Sequence, residues 1–100
     1  MLFAVMFEHG PGWDPVRSLR EQDVWNEHAS FMDELTATGL VVLGGPLGTE
    51  AGALLIVRAA DAATVAARLN GDPWLASGHL RVSLIEPWTI LLGDQAALSS

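Results

Sequence analysis

The chain has no cysteine, no lysine and no tyrosine in 100 residues. Without cysteine there are no disulfides, no thiolate nucleophiles and no thiolate metal ligands. This usage fits a cytoplasmic protein. Without lysine, the five basic residues are all arginines, scattered at 17, 20, 58, 68 and 81, and the net charge is −7. A nucleic-acid binder needs clustered cations to displace condensed counterions. DNA, RNA and anionic membranes are therefore poor partners for this chain. No apolar run approaches the length that crosses a bilayer. The opening MLFAVMFEHG lacks a basic region and a small-residue cleavage site, so no signal peptide is read.

What is present is apolar: half of the residues. LFAVMF (2–7) reads as a strand, ended by GPGWDP (10–15). Asp14-Pro15 offers an N-cap and first-turn pair, and Ser18-x-x-Glu21 a capping box. These signals predict a helix starting between 15 and 19 and running to Thr38, with Gly39 closing it. Val24, His28, Phe31 and Leu35 form its apolar stripe. LVVLGGPL (40–47) and ALLIVRA (53–59) read as a hairpin across the turn GTEAG. Asp61 caps a second helix closed by Gly71, and Pro73–Ala76 adds a helical turn. HLRVSLIEPWTILL (79–92) reads as a last strand bent at Glu86-Pro87.

The order is βαββαβ, the ferredoxin-like α+β pattern, in one domain over 1–92 with a polar tail at 93–100. Two helices cover one face of a four-stranded antiparallel sheet. The strands are nevertheless apolar at consecutive positions, which implies burial of both faces. A second copy packed on the open face, as in dimeric α/β barrels, is the simplest cover.

His28 stands where a leucine would be expected on the helix stripe. The bland reading is a buried histidine satisfied by its surroundings. Asp72, in NGDPW (70–74), leaves the second helix beside the first and can approach it. A carboxylate there fixes the imidazole tautomer and stabilises the imidazolium, the minimum for general acid–base work. Asp72 also suits an N-cap with Pro73 following; one oxygen can cap while the other meets the imidazole. Trp13 and Trp74 sit in segments bordering such a cleft, and His9 is placed to reach its mouth. These three are the candidate substrate-binding residues; solvent exposure is the alternative for His9. His79 is read as exposed. The histidines lack metal-ligand spacing, and no metal or organic cofactor is expected. GLVVLGGPLG lacks the GxGxxG spacing of a phosphate loop.

MLFAVMF, EHASFMDELTATG, LVVLGGPLG, GALLIV, NGDPWLASG and the closing IEPW together resemble the YCII-related (YciI-like) family over about residues 1–90. The resemblance implies a ferredoxin-like subunit pairing into a dimeric α/β barrel. It also implies a site built from a helix histidine and the aspartate of a DP motif, here His28 and Asp72. Some relatives carry out elimination or related proton transfer on small ring compounds. Many carry a basic residue about where Trp25 stands; if that residue binds an anionic substrate in them, this chain has a different substrate or none. Two functions follow: a small lyase or isomerase using the His–Asp pair, or a non-catalytic dimeric module binding a small molecule or partner. A third role, a buried structural pair on a scaffold, predicts a filled and dry site.

Overall fold

The computed structural model describes residues 1–48 and 52–93. Strand β1 (Leu2–His9) leads through a loop and a 3-10 turn (Leu19–Glu21) into helix α1 (Trp25–Ala37). Strands β2 (Val41–Leu47) and β3 (Gly52–Arg58) follow, then helix α2 (Ala62–Leu69), the single-turn helix α3 (Pro73–Ala76) and strand β4 (Leu80–Pro87). The sheet is antiparallel in the order β2-β3-β1-β4. This is the βαββαβ ferredoxin-like arrangement. The middle of the GTEAG turn and all but the first residue of the 93–100 tail lie outside the described residues.

Strand alternation sorts β1. Phe3, Val5 and Phe7 point under the helices and are buried with Val57, Val65, Leu69 and Trp74. Each such side chain stabilises the fold by roughly 1.5–3 kcal/mol. Leu2, Ala4 and Met6 occupy the other face and are only partly covered. With them lie Leu54 of β3, Leu84 of β4 and, on β2, Leu43 and Leu47, which are 57% and 37% exposed. The cross-strand pair Glu8–Arg81 edges this face.

The first helix starts later than its sequence signals suggest. Ser18 and Glu21 do pair, with the Ser18 N–H and Oγ–H both donating to Glu21 Oε1 and the Glu21 N–H donating to the Ser18 carbonyl. They enclose only the 3-10 turn. Asp14 turns its own loop by accepting from the Val16 N–H. Buried Gln22 explains why the loop persists: its Nε2 donates to the carbonyls of Asp14 and Arg17, and its Oε1 accepts from the Asp14 N–H. A helical path through 15–22 would abandon those bonds. Val24 then adopts φ 63°, in the left-handed region, as N-cap of α1. It is an exposed cap and not the first residue of the apolar stripe. A β-branched side chain there is strained.

β4 ends at Pro87, which has no N–H for the ladder. The Trp88 N–H still donates to the Leu2 carbonyl, but 89–92 are irregular and not strand. Asp61 caps α2 as the sequence suggests, accepting from the Thr64 N–H and hydroxyl at 2.8 and 2.7 Å.

Candidate functional site

Four segments converge at one end of the sheet: the end of β1, the loop to Trp13, the first turns of α1, and α3. The NGDPW stretch places Asp72 as N-cap of α3. Pro73 has no N–H, so the first donor available is that of Trp74, which reaches Asp72 Oδ1 at 2.9 Å. The same oxygen lies 2.8 Å from His28 Nδ1, and Oδ2 lies 3.0 Å from it. The two roles are therefore not divided between the oxygens; Oδ1 serves the cap and the imidazole together. Asp72 is 0% exposed. A buried carboxylate of this kind requires partners.

An ionised carboxylate only accepts hydrogen bonds. Nδ1 of His28 therefore carries a proton and donates it, and in the neutral ring Nε2 holds the lone pair. Among the described residues no group bonds Nε2, and no buried side-chain nitrogen or oxygen is left without a partner. Nε2 is thus accessible. His28 lines a cavity of about 450 Å³ between α1 and the β2 side of the sheet. The site is not filled by side chains.

Trp74 organises the site. Its ring is 1% exposed, and its Nε1–H donates to the Asp23 carbonyl at 2.8 Å. His28 stacks on it with centroids 3.9 Å apart and planes 10° apart. His79 is also stacked, at 5.6 Å and 11°. The expectation that His79 is exposed is corrected: it is 7% exposed, and its Nδ1 lies 2.6 Å from Ser77 Oγ. The cause is Gly78, whose φ of 78° turns the chain so that residue 79 packs inward before β4 begins.

Among the candidate binding residues, His9 and Trp74 line the cavity. Trp13 is not among the lining residues. It stacks on His9 at 3.8 Å and 12° and meets Trp74 edge-on at 5.4 Å, so it backs the wall without forming it. Trp25, where many relatives carry a basic residue, lines the cavity beside His28, as do Met32 and Thr36, which the sequence did not single out. Their spacing from His28, at −3, +4 and +8, marks a helix face adjacent to the stripe that was read, and could have revealed them. On β2, a register shift between Val41 and Leu43 turns Gly44 and Pro46 toward the cavity.

Its lining is predominantly apolar, with no arginine and with Asp33 as an acidic edge. No group of three or more metal-ligating side chains occurs among the described residues. No described helix is long and apolar enough to cross a membrane.

No curated protein matches the sequence. Among solved structures, the fold is similar to the 5-chloro-2-hydroxyhydroquinone dehydrochlorinase TftG from Burkholderia phenoliruptrix AC1100, in complex with 2,5-dihydroxybenzoquinone. The TM-score is 0.66 at 26% identity, covering 89% of this chain and 94% of that one. The YCII-related domain model matches residues 1–89. With that match spanning the sheet, both long helices and the His28–Asp72 contact, the chain belongs to the YCII-related domain family.

Proposed function

We propose that the cavity is an active site for lyase- or isomerase-type proton transfer on a small ring compound, with no metal or organic cofactor. One observation carries this reading: His28 Nδ1 is held by a fully buried carboxylate while the rest of its polar edge is left to an aromatic-lined cavity. In this reading His28 moves the proton through Nε2, and Asp72 orients the ring and balances the charge of the imidazolium. The similar structure is of a dehydrochlorinase, an enzyme that removes hydrogen halide from a hydroxylated ring, and this supports both the reaction type and a cyclic substrate. The volume suits one substituted ring.

The test uses 5-chloro-2-hydroxyhydroquinone and halogen-free hydroxylated rings under anaerobic conditions. Wild-type protein accelerates chloride release or ring tautomerisation, and His28→Gln and Asp72→Asn each remove the acceleration. Tight binding without turnover across the set contradicts this reading and favours a non-catalytic binding module. One tightly bound transition metal per subunit in metal analysis contradicts the metal-free part.

The same reading includes a homodimer. Leu43, Leu47, Met6, Leu54 and Leu84 form a contiguous apolar face on the side of the sheet that carries no helix. A second copy covers it by matching apolar rows about a two-fold axis. Light scattering at micromolar concentration should give a dimer, and Leu54→Arg should dissociate it by burying an unpaired charge. A well-folded wild-type monomer contradicts this part.

A further inference from the structure

His9 is a second imidazole on the wall of the same cavity, and the chain invests unusual local structure in fixing it. It is the last inward-pointing residue of β1, following Phe3, Val5 and Phe7 in the row. After it the chain reverses through Gly10-Pro11-Gly12. The Gly10 N–H donates to the His79 carbonyl and the Gly12 N–H to the Gly78 carbonyl, both at 2.9 Å, and the Trp13 N–H donates back to Gly10. At Gly10 and Gly12 any Cβ would collide with backbone carbonyl oxygens of 77–78. The two glycines therefore allow backbone to lie against backbone, and the turn returns Trp13 flat onto the His9 ring at 3.8 Å. Trp13 in turn abuts Trp74, on which His28 is stacked. Two imidazoles, each set by an indole, thus line one cavity from different elements.

We infer that His9 is the second proton-transfer group of the site, delivering to a ring carbon the counterpart of the proton that His28 removes from a ring hydroxyl. This rests on the proton-transfer reading above and adds a residue to it. The step is a ring tautomerisation. His28 Nε2 takes the O–H proton, and the oxygen lone pair becomes the second C–O bond. A ring π-bond pair forms a new C–H bond with the proton from the His9 imidazolium. One proton leaves the ring and one enters it, so no oxidant or reductant is needed. Both histidines return to their starting states by exchange with water. A single imidazole serving both atoms would have to relocate between them; two on separate walls need not move.

The experiment is anaerobic ring C–H exchange of 1,2,4-trihydroxybenzene in D2O, followed by proton NMR, with binding of the same probe measured by saturation transfer. Wild-type protein accelerates deuterium incorporation over buffer. His9→Gln should lower the protein-dependent rate at least about 100-fold, the lower end of general acid–base effects, while its Kd for the probe changes less than about threefold. His9→Phe keeps an aromatic ring against Trp13 without an exchangeable proton, and should lose exchange equally. Exchange within about threefold of wild type in either variant overturns the inference, since stacking alone then suffices. So does exchange lost only in proportion to probe binding. If wild-type protein gives no exchange and no chloride release, the proton-transfer reading itself fails and His9 falls with it. Loss in His28→Gln with none in His9→Gln leaves that reading intact and removes only His9.

Discussion

Two histidines lie parallel to the Trp74 indole in different surroundings. On the α1 side, His28 stacks at 3.9 Å and its Nδ1 meets the buried Asp72 carboxylate. On the β4 side, His79 lies parallel to the same indole, but its Nδ1 meets the Ser77 hydroxyl and the ring is buried. Residue type and stacking partner are the same. What differs is the group on Nδ1 and the space beyond the ring. A carboxylate can hold an imidazolium, and a cavity gives it something to act on. A neutral hydroxyl in a closed position satisfies the histidine and nothing more. Buried polar groups are structural as often as functional, and in the proposed reading these two rings are one of each.

Mutations around the two histidines should have unequal effects. His28→Gln should lower activity about 10²–10⁴-fold, the range for losing a positioned acid–base group. Asp72→Asn should approach the same loss with near-wild-type stability, since asparagine caps as well as aspartate. Ser77→Ala, beside His79, should leave activity within about threefold and cost about 1 kcal/mol of stability, one net hydrogen bond. Steady-state assays beside urea denaturation check all three. A Ser77→Ala effect on turnover equal to that of Asp72→Asn would erase the distinction.

Trp74→Ala removes the stacking partner of both histidines at once. Losing a buried tryptophan in contact with two histidines and two further tryptophans should cost about 3–5 kcal/mol. Denaturant unfolding reads this directly. A cost below about 1 kcal/mol would show that the indole is not the organiser proposed.

The smallest effect contrasts the buried cap Asp72 with the exposed carboxylates Glu21 and Asp61. The Ser18 hydroxyl and N–H, aided by Arg17, hold Glu21 below its ordinary range, and the Thr64 hydroxyl and N–H do the same for Asp61. A carboxylate titrating lower in the folded chain contributes stability that is complete above its unfolded pKa. That contribution is lost as pH falls through the folded value. Stability should therefore decline on the acid side of the carboxylate range, and Glu21→Ala or Asp61→Ala should slightly flatten that decline. Thermal melts against pH measure it; an unchanged slope in both variants contradicts the capping account.

Much of this site was legible because its parts are local. Asp61 and Asp72 stand before helices, and Pro73 follows Asp72 at the position where a missing N–H costs least. The topology then brings α3 to α1, so a polar residue on the stripe of α1 and an acidic cap on α3 suggest each other. What could not be read depends on long-range packing. Gln22 binds three backbone groups up to eight residues away, and no propensity at 15–22 announces that this loop outcompetes a helix. The inward turn of His79 depends on one left-handed glycine and on its contact with Trp74. Trp13 looked like a cavity wall from its segment; the collision-limited turn at Gly10 and Gly12 directs it onto His9 instead.

In the proposed reading, Asp72 fixes His28 with its proton on Nδ1 and leaves Nε2 for the ligand. A two-bond proton–nitrogen correlation spectrum of ¹⁵N-histidine-labelled protein, at a pH where the ring is neutral, tests it most directly. The His28 resonances should show a protonated Nδ1 and an unprotonated Nε2. The tautomeric preference should weaken in Asp72→Asn, and Nε2 should shift when 2,5-dihydroxybenzoquinone is added. A protonated Nε2 in neutral wild-type His28, or a pattern identical in Asp72→Asn, would contradict it.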